Sequence, residues 1–210
     1  MNENQKNFDA EAGTWDEDPG KVKLAGEVAQ TIIRAARPSR DMDVLDFGCG
    51  TGLVALHLAP LVRSLTGVDS SSGMLAVFRA KAEAQGLANV TSSLVDLEGG
   101  GELPRGFDLV VCSMTLHHVP DVPGLILKLG ASTRPGGQLC LADLDPEQGR
   151  FHSDNIGVFH FGLERDLVAR SMTEAGFADI HQETASQVEK PGPEGVQSFS
   201  VFLLSGRKGT

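Results

Sequence analysis

The sequence predicts a doubly wound α/β fold, a mostly parallel sheet with helices on both faces. Three observations predict it. Apolar strand-like runs alternate with helix-like segments between residues 42 and 143. Those runs are continuously apolar rather than alternating, as in strands covered on both faces. The first run passes directly into a glycine-rich turn that opens a helix, Val44-Leu-Asp-Phe-Gly-Cys-Gly-Thr-Gly52. With 210 residues, 40% of them hydrophobic, the chain suits one domain, residues 1–210, with a sizeable core.

The elements follow in order. A polar lead-in precedes an amphipathic helix over Lys21–Ala36, stopped by Pro38. Residues 1–37 therefore form a cap and a helix. The core, residues 41–145, holds strands over Met42–Phe47, Ser64–Val68, Val90–Val95, Phe107–Cys112 and Gln138–Asp143. Helices fall over Leu53–Leu58, Ser72–Gln85 and Val122–Ser132, and Gly86 is a helix stop. Residues 146–210 hold a further segment, a helix over Glu164–Ala175 capped by Gly176, and strands over Ile180–Val188 and Ser198–Leu204. The joint Lys190-Pro-Gly-Pro-Glu-Gly195 is too short for a crossover helix, so these last two strands pair antiparallel.

Composition narrows the function classes. A net charge of −10 repels phosphate backbones, which argues against a nucleic-acid substrate. The one tight basic cluster, Arg34, Arg37 and Arg40, reads as a solvated helix end. No apolar run reaches the roughly 20 residues that span a bilayer, and Met1–Ala10 lacks a basic segment followed by an apolar one, so a cytoplasmic location is expected. Cys49, Cys112 and Cys140 form no CxxC pair and read as buried small hydrophobes.

The glycine turn carries the chemistry. Gly48, Gly50 and Gly52 follow a buried strand and open a helix, where the backbone can approach a ligand closely and free N–H groups face it. That much fits any nucleotide-like ligand. The spacing is GxGxG rather than the dinucleotide GxGxxG, and Asp46 precedes the first glycine. A carboxylate there suits a cationic ligand and would repel a pyrophosphate. Asp69 ends the second strand, about 20 residues on, where an acid accepts from ribose hydroxyls. It, or Ser72, could also cap the next helix. Asp96 ends the third strand, where an acid can accept from an adenine amino group. Three successive strands each deliver an acid to the edge where such sheets bind ligands.

The segments VLDFGCGTG, GVDSSSGML, LVDLE, FDLVVCSMTLHHV and RPGGQLCLADLDPE resemble the class I S-adenosylmethionine-dependent methyltransferases. Within that class the chain looks most like the small-molecule branch of ubiquinone and menaquinone biosynthesis, and FDAEAGTWDEDP looks like that branch's N-terminal cap. The resemblance implies a Rossmann-like seven-stranded sheet whose last strand but one in space is antiparallel. It implies cofactor contacts at Asp46, Phe47, Gly48, Cys49, Gly50, Gly52, Asp69, Ser70, Met74, Asp96, Leu97 and Ser113, and S-adenosylhomocysteine as the product. The chain departs from the DNA and glutamine N-methyltransferases, whose Asn/Asp-Pro-Pro-Tyr/Phe motif is replaced by Ser113-Met-Thr-Leu-His-His-Val119.

The acceptor side is less determined. Methyl transfer from a sulfonium is an in-line displacement that needs alignment, water exclusion and, for a hydroxyl or acidic carbon, loss of a proton. His117, His118 and His160 are the candidate bases. His152 and His160 flank Arg150–Phe161, where Phe151, Phe159 and Phe161 would suit an apolar or aromatic small-molecule acceptor or simply pack. Asp143 and Asp145 could orient a substrate. The four histidines show no metal-ligand spacing. Phe8 and Trp15, the aromatics of the polar lead-in, either close over the cofactor or pack on the sheet edge. Two other readings stand beside the enzyme: a silent cofactor-binding regulatory module, and a nicotinamide-dependent dehydrogenase, which the glycine spacing and Asp46 oppose.

Overall fold

The computed structural model describes residues 6–97, 99–192 and 195–210. Seven strands form one sheet in the order β3-β2-β1-β4-β5-β7-β6. They are β1 (Asp43–Phe47), β2 (Ser64–Asp69), β3 (Val90–Leu94), β4 (Phe107–Ser113), β5 (Thr133–Leu144), β6 (Phe177–Gly192) and β7 (Gly195–Lys208). The first five pair in parallel, and β7 runs antiparallel to both β5 and β6. The last strand but one in space is thus the antiparallel one, as expected.

The helices are α1 (Phe8–Glu11), α2 (Pro19–Ala36), α3 (Ala55–Leu58), α4 (Ser72–Ala84), α5 (Val122–Ser132) and α6 (Arg165–Glu174). Successive strand residues point to opposite faces. Val44 therefore joins the layer under α2, α3 and α4, with Ile32, Leu58 and Phe78, while Leu45 joins the layer under α5 and α6, with Ile126, Leu129 and Met172. Two apolar layers thus sandwich the sheet. Among the described residues, no helix is long and apolar enough to cross a membrane.

The helix expected over Leu53–Leu58 is shorter. Gly52 sits at φ +83° and Val54 O accepts the His57 N–H at 3.0 Å in a tight i+3 turn, so α3 begins only at Ala55, and its end passes into a 3-10 turn over Ala59–Leu61 that contains Pro60. The last two strands are longer than their apolar runs. β5 pairs with β7 only over Val201–Arg207, and beyond Val201 the hairpin pairs with itself to Gly192↔Gly195. A backbone ladder needs no apolar side chain, so the polar arm left no pattern to read. Part of the joint expected over residues 190–195 is strand, and Pro193 and Glu194 lie outside the described residues.

Candidate functional site

The registers Phe47↔Val68, Asp69↔Leu94, Phe47↔Cys112 and Ser113↔Ala142 bring the ends of the first five strands to one rim. Gly48 and Cys49 donate their N–H groups to Val68 O at 2.8 and 3.1 Å, and Gly50 N–H donates to Asp69 Oδ2 at 2.8 Å. The second strand's acid thus braces the first strand's turn. Asp69 Oδ1 accepts the Ser71 N–H at 2.9 Å, and the cap of α4 is Ser71, whose hydroxyl accepts from Met74 N–H at 3.1 Å. The cap expected at Asp69 or Ser72 therefore falls on Ser71, one of the two residues between them.

The three glycines are not equivalent. A Cβ on Gly52 would lie 2.2 Å from Phe78, and one on Gly48 would lie 2.2 Å from Thr115 Oγ1, so both let neighbouring elements pack closely. A Cβ on Gly50, at φ +53°, would meet nothing within 4 Å. Gly50 alone presents bare backbone to open space, which is where a ligand can approach.

Asp46 is buried, and its Oδ2 has no partner among the described residues. Burial, with the Asp69 charge beside it, pushes its carboxyl up to about 8. A buried carboxylate needs a cation or a proton, and a sulfonium- and ammonium-bearing ligand would supply the cation. Burial likewise raises Asp69, against its backbone hydrogen bonds. Met74 is buried under the rim, Phe47 and Cys49 are buried, Leu97 and Ser113 are half-buried, and Ser70 and Asp96 are exposed. The cysteines are free and buried, and burial pushes the Cys140 thiol up to about 12. This donor set fits S-adenosylmethionine.

The N-terminal segment is latched to the start of α4 and to the glycine turn. Asp9 Oδ1 accepts from Gly73 N–H and Ser71 Oγ, both at 2.6 Å, seating α1 on the start of α4. Asp16 accepts from Thr51 Oγ at 2.6 Å and pairs with Lys81, which also donates to Thr51 O at 2.9 Å. Between these latches Phe8 and Trp15 meet edge to face with centroids 5.9 Å apart, and the Lys21 ammonium lies 3.6 Å from the Trp15 centroid. The segment's aromatics and its cap-like resemblance mark it in the sequence, but nothing there singles out Asp9 and Asp16 among its acids as the latches.

Beyond this segment lie three histidines. The centroid of His117 is 4.1 Å from that of His118 and 5.0 Å from that of His152, and Phe8 packs edge-on to His118 at 5.2 Å. His117 is 1% exposed, and its Nδ1 lies 2.7 Å from Asp143 Oδ1. Burial opposes the Asp143 charge, but His117 and the backbone N–H groups of Leu144 and His117 outweigh it and hold the carboxyl below its usual range. His118 Nδ1 donates to Gly157 O at 2.7 Å. Burial, reinforced by the neighbouring imidazoles, pushes His118 down to about 4 and His152 to about 3.

His160 stands apart from this trio, its Nε2 donating to Val119 O at 3.0 Å. Both acids expected to orient a substrate already have partners within the chain. Asp143 holds His117, and Asp145 makes a two-pronged pair with Arg165 at 2.7 and 2.6 Å and accepts from Ser200 Oγ at 2.6 Å. Phe151 is buried against Phe199, with centroids 5.6 Å apart, while Phe159 and Phe161 are exposed.

The methyltransferase domain family matches residues 22–182, which contain the glycine turn, the three rim acids and the histidine trio. The chain belongs to this family. An uncharacterised methyltransferase of Schizosaccharomyces pombe is 38% identical to the domain over 159 residues, covering 69% of this chain and 56% of its own length. A ubiquinone biosynthesis O-methyltransferase of Coxiella burnetii is 31% identical over 156 residues, covering 69% of this chain and 66% of its own length. The methyltransferase domain thus spans less than two thirds of each of these relatives. Among solved structures, the YcgJ protein of Bacillus subtilis superposes with a TM-score of 0.72 at 18% identity, over 88% of this chain and 99% of its own. Phosphoethanolamine N-methyltransferase 2 of Haemonchus contortus, in complex with S-adenosyl-L-methionine, superposes with a TM-score of 0.69 at 17% identity, over 87% of this chain and 52% of its own. At these identities both likenesses are of fold.

Proposed function

We propose that this methyltransferase domain transfers the methyl group of S-adenosylmethionine to a small-molecule acceptor by in-line displacement. The observation that carries the reading is Asp46, a buried carboxylate with an unpartnered oxygen, set beside the bare backbone of Gly50. In this reading Asp46 answers the cofactor's positive charge. The turn of Phe47, Gly48, Cys49, Gly50 and Gly52 shapes the backbone around it. Asp69 and Ser70 take the ribose, Met74, Asp96 and Leu97 hold the adenine, and Ser113 borders the methionine end. Phe8 and Trp15 close from above. The cofactor brings an activated methyl group, so the chain's own residues need only align the acceptor, exclude water and accept any proton it loses.

The Coxiella relative is named for ubiquinone biosynthesis and O-methylation. Its kinship favours a hydroxyl on an apolar or aromatic small molecule, and the net charge of −10 disfavours nucleic acid. The test incubates the protein and S-adenosylmethionine with phenols, quinols and small acids and measures S-adenosylhomocysteine. The reading expects turnover with at least one hydroxylated aromatic. Cofactor binding without turnover across the panel would overturn it in favour of a regulatory module.

A further inference from the structure

The histidine trio carries an inference that deepens the proposed function and rests on it. Asp143 follows Ala142, which registers with Ser113 at the rim, so the trio stands beside the inferred methyl position. A carboxylate can only accept, so at 2.7 Å from Asp143 the His117 Nδ1 is the protonated nitrogen. In the neutral imidazole, the form that can act as a base, His117 Nε2 is then a bare lone pair. It is buried, and no group among the described residues pairs with it. His152 Nε2, on a ring 5.0 Å away, is also buried and also unpartnered. Two orphaned imidazole nitrogens on adjacent rings, in a protein that satisfies most of its buried polar groups, point to a shared guest.

We infer that the acceptor is a neutral hydroxyl compound, clasped between His117 and His152, and that His117 is its general base with Asp143 as the positioning residue. The hydroxyl hydrogen points at His117 Nε2, and the hydroxyl oxygen accepts from His152 Nε2–H. One oxygen atom meets both needs. An ammonium group offers only donors, and a carboxylate only acceptors. As the oxygen bonds to the donor methyl carbon, the carbon–sulfur bond breaks with its electron pair left on sulfur. The hydroxyl proton passes to His117 Nε2, and Asp143 balances the imidazolium that results. Asp143 stands behind His117, and the Lys6 and Lys190 charges help to hold His152 in its neutral form. Burial keeps His118 and His152 neutral at pH 7, so neither competes as a cation. Phe8 covers His118, so the guest enters when the N-terminal segment lifts.

The experiment is histidine-selective nitrogen-15 NMR on the full chain saturated with S-adenosylhomocysteine, titrated with phenol as the probe. The inference expects a free-state spectrum with His117 protonated at Nδ1. It further expects saturable shifts of the His117 and His152 Nε2 signals on adding phenol, and a stationary His160 Nε2 signal. Asp143→Asn should move His117 toward the other tautomer, a spectroscopic change that a merely structural role would not produce. If that variant fails to fold, the wild-type titration stands alone. S-adenosylhomocysteine binding with both Nε2 signals unmoved by phenol, or His117 found protonated at Nε2, would overturn this inference and leave the methyltransferase reading intact. Failure to bind S-adenosylhomocysteine at all would overturn both.

Discussion

The two halves of the rim are built differently. On the cofactor half, binding groups come from short, contiguous turns: Gly48 and Cys49 on Val68, Gly50 on Asp69, Asp69 on Ser71. On the acceptor half, the cluster draws His117 and His118 from after β4, Asp143 from the end of β5 and His152 from the loop after it, with Phe8 from the N-terminus. Backbone geometry makes the first half, and side chains far apart in the chain make the second. A backbone-built site should fail through strain and lost affinity, and a side-chain cluster through lost rate.

The largest expected effect lies on the acceptor half. With an acceptor from the screen, His117→Gln should lower the methylation rate by about 10²–10⁴-fold and leave the cofactor dissociation constant nearly unchanged. An equal loss of affinity would erase the division between the halves. Next comes a contrast within the glycine turn. Gly52→Ala forces a methyl group into Phe78 at φ +83°, and overpacking plus a left-handed alanine should cost about 2–5 kcal/mol of stability. Gly50→Ala, which meets no neighbour, should cost about 1–2 kcal/mol and act mainly on cofactor affinity. Denaturant melts and calorimetry of the pair separate packing glycine from binding glycine. Asp69→Ala should weaken cofactor binding roughly tenfold to a hundredfold, since hydrogen bonds to a charged group are worth about 1.5–3 kcal/mol. An unchanged dissociation constant in a folded variant would remove Asp69 from the ribose.

The halves also differ in their response to pH. His118 and His152 bind protons less readily in the folded protein, at about 4 and about 3, than in the unfolded chain at 6.5. The unfolded chain therefore takes up more protons below 6.5, and stability should fall as pH drops from 6.5 toward 3. Asp46 acts with the opposite sign. Its folded value of about 8 lies above 3.8, so it withdraws stability as pH rises from 4 to 8. Melting temperatures across pH should show His152→Phe flattening the acid limb and Asp46→Asn the neutral one. The smallest effect belongs to the N-terminal segment. Trp15 fluorescence should change when S-adenosylhomocysteine binds, proteolysis near Asp16 should slow, and Asp9→Ala should weaken both responses by releasing α1 from Ser71 and Gly73.

The same contrast explains what the sequence reveals. The seven strands, their antiparallel exception and the rim acids are legible because each rests on local periodicity or on one contiguous motif. The division of labour among Gly48, Gly50 and Gly52 is not, because it depends on what Phe78 and Thr115 bring from elsewhere. His117 and His118 draw notice as a pair, but His152 joins them and His160 does not only because the loop over residues 150–162 folds back. Asp143 reads as a free strand-end acid until its partner is in place. The self-paired arm of β6 and β7 escapes because its stabilising bonds are backbone bonds between polar residues.

The central claim is that Asp46 and the Gly50 turn form a site for a cationic cofactor, and calorimetric titration with S-adenosylhomocysteine from pH 6 to pH 8 tests it most directly. Its ammonium group should draw Asp46 into the ionised form. Affinity should therefore rise by up to about tenfold per pH unit below 8, one proton should leave per ligand bound, and Asp46→Asn should abolish the dependence. Binding of a nicotinamide dinucleotide in its place, or an affinity for S-adenosylhomocysteine that ignores pH and Asp46 alike, would contradict the account.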